Sequence, residues 1–226
     1  MPSCRLQPEK YGRYEAHFST LGIYSGGAGK KLAGQQLSVL LARISAFLNA
    51  RVLSERYVGE KLPLPPEKQR DQIFYGVKAN CKVPMEVRPS EPRAVQKAEL
   101  KNLLRLSALP HGSHDIVLVV FRTAVMQPEA LGKFMLLYQC LLQIDDKQKV
   151  LDKQIQHLRP NVPLFTRPQK NGTETFYTRL RNEVAHPRPG VSVDSTLDAI
   201  ERSVDEFRAI VHERILEKIV KPMLIP

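Results

Sequence analysis

The sequence predicts a mainly α protein, with an antiparallel helical bundle over its C-terminal half and a less regular, mostly helical N-terminal region. Three observations predict it. Apolar residues recur at three- and four-residue intervals in successive stretches, most regularly in the second half. Prolines and glycines punctuate the chain between those stretches. A composition of 42% hydrophobic and 25% charged residues over 226 positions is that of a chain able to bury one large core or two small ones.

Between Leu32 and Val58, the positions Leu37, Leu40, Leu41, Ile44, Phe47, Leu48 and Val52 form one helical stripe. GEKLPLPPEK breaks it, because proline removes backbone donors and pushes the preceding residue out of the α region. The following stretch, with Pro84, Pro89 and Pro92, suits a short strand or irregular segment as well as a helix. A helix through Leu100, Leu103, Leu104 and Leu106 is expected next, with Ser90 as cap and Pro110 and Gly112 as its stop. HGSHD then marks the boundary between an N-terminal region, 1–112, read as a small α or α+β domain, and a helical bundle, 113–226.

Ile116 to Phe121 is a continuous apolar run that fits a buried strand or a helix interior, and its helical neighbours favour helix. Pro128 opens a helix with Leu131, Phe134, Met135, Tyr138, Leu141 and Leu142 on one face. DDKQKVLDKQIQHL makes another, with Val150, Leu151, Ile155 and Leu158 inward. RPNVPLFTRPQKNG reads as a basic, mobile, proline-broken loop. Thr173 is the expected cap of a helix carrying Phe176, Leu180 and Val184, which Pro187, Pro189 and Gly190 stop just after His186. The last and longest helix starts near Ser195, in a capping box with Asp198, and carries Leu197, Ile200, Val204, Phe207, Val211 and Ile215.

The formal charge of +11 attracts polyanions, since each phosphate neutralised by Lys or Arg releases counterions. A basic subunit facing an acidic partner satisfies the same charge. Cys4, Cys81 and Cys140 are far apart and form no CxxC pair, which excludes a disulfide framework or a zinc site as the reading and points to a reduced cytoplasm. No run approaches 18 consecutive apolar residues and MPSCRLQPEKYGRY lacks the core of a signal peptide, so no membrane partner is expected.

YSGGAGKKL fails as a phosphate loop: Tyr24 stands where the first glycine is required and Lys31 where Ser or Thr is. It reads as a glycine turn entering the first long helix. His111, His114 and Asp115 lack a fourth metal ligand and read as a solvated loop.

Arg181-Asn182-Glu183-Val184-Ala185-His186 is different. Helical spacing puts Asn182 and His186 on one face with Arg181 at its edge. RNA cleavage by the neighbouring 2′-hydroxyl needs a proton taken from that hydroxyl, a proton given to the leaving 5′ oxygen, and a cation on the crowded phosphorane. A histidine of ordinary pKa, near about 6.5, transfers protons at neutral pH, and an arginine fork holds phosphate oxygens without being consumed. Asparagine orients either. No metal and no cofactor is needed. The competing reading is a polar helix end, with His186 favoured by the macrodipole.

This hexapeptide, between two long amphipathic helices, resembles the R-x4-6-H signature of the HEPN superfamily. EALGKFMLLYQCLLQI and ETFYTRLRNEVAHPRPGVS are most similar to its methylamine-utilisation MauJ-like group. The resemblance spans about residues 115–220. It implies an all-α bundle that forms a homodimer with two motifs across one cleft, and a metal-independent endoribonuclease of the toxin, phage-defence or RNA-processing kind. Arg181 and His186 would then be the catalytic pair, with Asn182 beside them. Arg167, Lys170, Arg179 and Arg188 are the candidate phosphate-binding residues, and RNA with a cognate antitoxin or regulatory protein the expected partners. Arg188 occupies a position where some members carry a modifiable tyrosine. The alternative is a non-catalytic module that binds a nucleotide or a partner.

Overall fold

The computed structural model describes residues 3–8, 13–20, 28–54, 79–89, 101–102, 105–106, 109, 112–167, 172–186 and 189–224. The chain divides into two compact units, Met1–Asp115 with Met223–Pro226, and Ile116–Pro222. Helix predominates among the described residues.

In the first unit, β1 (Ser3–Pro8), β2 (Arg13–Thr20), β3 (Ala50–Ser54) and β4 (Ala79–Pro89) form an antiparallel sheet in the order β1-β2-β4-β3. The expected mostly helical N-terminal region is therefore α+β. Phe18 is the register partner of Cys4 on one side and Cys81 on the other. Pro84 is tolerated inside β4 because it pairs only with Glu15 of β2, whereas β3 pairs only with Met85 to Pro89. A residue without an N–H fits where a strand has one neighbour.

Helix α1 spans Ala28–Leu48, shorter than its apolar stripe predicts. Asn49, at φ 48°, enters the left-handed region that asparagine tolerates better than most residues. The chain then turns into β3, where Val52 pairs with Val87. From Leu40 to Ala46 every residue of α1 is buried, Arg43 included, so this part of the helix has no polar face. Arg43 is held on all three of its nitrogens: its Nε and NH2 donate to the two carboxylate oxygens of Asp115, each at 2.9 Å. Its NH1 donates to the carbonyls of Leu106 and Leu109 at 2.8 and 2.9 Å. Asp115 is thus a buried ion-pair partner and not part of a solvated loop, although His114 beside it is exposed. The helix expected from Pro92 to Leu106 and the glycine turn at 24–27 lie outside the described residues, apart from helical positions 101–102 and 105–106.

The second unit contains α2 (Asp115–Met126, whose first residue still belongs to the first unit), α3 (Ala130–Asp145), α4 (Gln148–Leu158), a short hairpin of β5 (Leu164–Thr166) and β6 (Thr173–Thr175), α5 (Phe176–Ala185) and α6 (Val193–Ile215). The apolar run at 116–121 is helical, as its surroundings predict. Phe207 of α6 is the centre of the core, 5.0 Å from Phe134 and 4.6 Å from Tyr177 between ring centroids. It is fully buried, and truncating such a ring to alanine costs roughly 3–5 kcal/mol.

Several local expectations change. The 159–172 segment contributes hairpin residues rather than loop alone, with Phe165 opposite Glu174. The α5 cap is Thr175, whose side chain accepts from Thr178 N, because Thr173 belongs to β6. The α6 cap is Ser192, accepting from Ser195 N. On α4, Val150 is exposed and Asp152 is buried. Leu197, placed on the buried stripe of α6, is 37% exposed. Beyond Ile215 the helix widens into a π-helical turn, Leu216–Val220. Among the described residues no helix is long and apolar enough to cross a membrane.

Candidate functional site

The hexapeptide 181–186 lies at the end of α5, where its first five residues are helical and the sixth is not. Tyr177 and Leu180 are buried on the core side. Thr178, Arg181 and Asn182, at the next helical positions, share a second face. That face meets Tyr138 of α3, Gln148 at the start of α4 and Glu174 of β6.

Asn182 is the centre of this polar cluster. Its Nδ2 donates to Glu174 Oε2 at 2.8 Å, and its Oδ1 accepts from Arg181 NH1 at 3.1 Å and from Gln148 Nε2 at 3.4 Å. The Arg181 guanidinium sits 5.9 Å from the Tyr138 ring centroid, within reach of the attraction between a cation and a π face. Tyr138 Oη and Thr178 Oγ1 share a hydrogen bond of 3.0 Å. Burial pushes the Tyr138 phenol above its ordinary range, partly opposed by Thr178 and by the charge of Arg181. Tyr138 therefore stays protonated at neutral pH and serves as a neutral ring beneath the guanidinium.

His186 is the C-cap of α5, with φ −142° and ψ 97° and its N–H donating to Asn182 O. It is exposed. Its extended backbone means that the helical i, i+4 geometry joining Asn182 to His186 ends one residue short. The structure thus brings Arg181 and Asn182 together through their side chains, and connects His186 to Asn182 through the backbone.

The candidate phosphate-binding residues divide. Arg167 NH2 donates to Asp152 Oδ2 at 2.7 Å and its Nε to Thr173 O at 3.2 Å. Asp152 Oδ1 also accepts from the N–H and hydroxyl of Thr175. Arg167 therefore fastens the hairpin to α4. Arg179 donates to Glu183 Oε1 at 2.6 Å and lies 4.4 Å from the Phe165 ring centroid. Glu183 Oε2 in turn accepts from Thr196 Oγ1 at 3.2 Å, which ties α5 to α6. Lys170 and Arg188 lie outside the described residues.

Sequence reasoning missed Glu174, Gln148, Asp152 and Thr178, and placed Tyr138 only as a core residue. Their signal is faint, because a polar residue on a helix or strand betrays its burial only through partners distant in sequence. Among the described residues no cluster of His, Cys, Asp and Glu has the makings of a metal site. No family model, no curated protein and no solved structure matches the chain.

Proposed function

We propose that the chain is a HEPN-like protein acting on RNA, a metal-independent endoribonuclease in which His186 transfers the proton and Arg181 holds the phosphate. The observation that carries this reading is the placement of Arg181: half-buried, steadied by Asn182 and by the Tyr138 ring, five residues before an exposed histidine. Such a guanidinium is pre-oriented, so little is lost in ordering it when charge develops on a phosphorane. Asn182 orients the arginine and has no side-chain role toward the histidine.

One histidine transfers one proton at a time, whereas the reaction needs a base and an acid. A second copy of the chain, presenting its own His186 to the same cleft, supplies the other group in this proposal. The net charge of +11 supports a polyanionic substrate. The test is cleavage of single-stranded RNA in EDTA by the wild type, His186→Ala and Arg181→Ala, with circular dichroism as the folding control. Loss of about 100-fold or more in both folded variants is expected. Undiminished cleavage by both would remove the assignment.

A second reading rests on the commitment of Asn182, whose amide is engaged by Glu174, Gln148 and Arg181. In that reading the cluster is a non-catalytic seat for a nucleotide or partner. It predicts a wild type inactive on every RNA, yet stabilised thermally by a nucleotide that binds the native state.

A further inference from the structure

A concavity in the Ile116–Pro222 unit is lined by none of Arg181, Asn182 and His186. It encloses about 330 Å³ beside the start of α5, where Val162, Pro163, Phe176 and Tyr177 make its apolar walls and Arg159 and Glu206 its charged mouth. That volume lies within the range of small-ligand pockets, which combine apolar walls with a few placed polar groups.

The charges at the mouth are unequal in availability. Arg159 NH1 is 3.0 Å from Glu213 Oε2 and also donates to Leu158 O at 2.7 Å. Glu213 stands seven residues after Glu206 on α6, two helical turns along the same face. Glu206 is exposed and among the described residues forms no ion pair. The Tyr177 phenol is raised above its ordinary range by burial and then by the nearby Glu206 carboxylate, so Tyr177 stays neutral at neutral pH. Of the two charged lining residues, Arg159 is already paired with Glu213 outside the cavity, which leaves the Glu206 carboxylate as the one without an ion pair.

We propose that this cavity binds a small organic cation, an aromatic or aliphatic body of modest size carrying a protonated amine. The body packs between Pro163, Val162 and the Phe176 ring, and the ammonium is held by Glu206. The inference does not depend on the RNA reading.

The experiment is a titration of the ¹⁵N-labelled full chain with 2-phenylethylamine, its anionic counterpart 3-phenylpropanoate, and neutral 2-phenylethanol. For a ligand of this size a Kd of roughly 0.1–1 mM is the reasonable scale. The amine is expected to shift the amide signals of Asn161, Val162, Phe176 and Tyr177 in a saturable way, and the propanoate to leave them in place. Glu206→Gln is expected to weaken the amine about 10-fold without changing the melting temperature. Glu213→Gln, which releases Arg159, is expected to narrow the preference for amine over propanoate. Propanoate binding as tight as the amine, shifts that map elsewhere, or a Glu206→Gln affinity within about two-fold of wild type would each overturn the proposal.

Discussion

Asn182 and Arg181 are neighbours in sequence whose side chains also bond to each other, the Asn182 Oδ1 accepting from Arg181 NH1 at 3.1 Å while the same amide donates to the buried Glu174. The asparagine is therefore a support for the arginine, and the two substitutions separate stability from activity. Asn182→Ala removes an amide from a buried carboxylate and is expected to cost about 1–3 kcal/mol in urea unfolding. Arg181→Ala loses only a half-buried guanidinium and is expected to cost about 1 kcal/mol or less. On the proposed ribonuclease reading, both are expected to lose RNA cleavage, and Arg181→Lys is not expected to restore it, because an ammonium lacks the planar fork. An Arg181→Lys variant that cleaves RNA at the wild-type rate would show that charge alone matters at this position.

The Arg43–Asp115 pair makes a sharper stability prediction. Asp115→Ala leaves a guanidinium that is 3% exposed without its carboxylate, at an expected cost of about 3–5 kcal/mol. Replacing both partners, as Arg43→Met with Asp115→Leu, is expected to recover most of that loss, since an apolar pair leaves no uncompensated charge. Chemical denaturation of the single and double variants gives the comparison directly. A double variant no more stable than Asp115→Ala would show that the carbonyl contacts of Arg43 carry the stabilisation.

Cys140 is buried with its Sγ 3.7 Å from Val117 O, and burial pushes its thiol up to about 12. Thiolate, not thiol, is the nucleophile. At pH 8 Cys140 is therefore expected to resist alkylation in the native protein and to react only as the Ile116–Pro222 unit unfolds. Peptide mapping after iodoacetamide across a urea series reads this out, with Cys140 labelling tracking the loss of helical signal. Rapid native labelling at Cys140 would contradict its burial.

Glu217 accepts a hydrogen bond from Arg214 NH1 at 2.8 Å, and this bond holds its carboxyl below the ordinary value. A depressed carboxyl pKa contributes stability that is present above the unfolded value of about 4.5 and disappears as pH falls through the folded value. Glu217→Gln is thus expected to lower stability slightly at pH 6, by about 0–1 kcal/mol for so exposed a partner, and to match wild type near pH 2. Urea midpoints at both pH values decide it. A difference that persists undiminished at the acid end would rule out the ion pair as its source.

The helices of the second unit were legible because their seams are local. Phe134, Tyr138 and Leu141, or Phe207, Val211 and Ile215, announce a buried face within a few turns, and that face is buried. The sheet was not legible for the opposite reason. Its register joins Arg13–Thr20 to Ala79–Glu86, across a separation that no short window senses, and no turn signal links the two. The end of α1 depended on one left-handed residue, Asn49, while the apolar pattern ran on through Val52 into a strand. At the candidate site the motif itself was visible, but its support was not. Asp152 and Glu174 look like solvent-facing acids until Arg167, Thr175 and Asn182 arrive from other elements.

The wide turn at Leu216–Val220 bears on how the chain tolerates a change of length. Through α6 the buried positions advance as 200, 203–204, 207, 210–211 and 214–215, and continued α-helical spacing would next bury Lys218. Instead Lys218 is exposed and Ile219 and Val220 are buried, a phase shift of about one residue, which is what a π turn introduces. The segment accommodates one residue more than regular α-helical spacing would over the same span. Deleting Lys218 is accordingly expected to yield a continuous α-helix with Ile219 and Val220 still inward, and to preserve the urea midpoint better than deleting Ser203 from the regular part of the same helix.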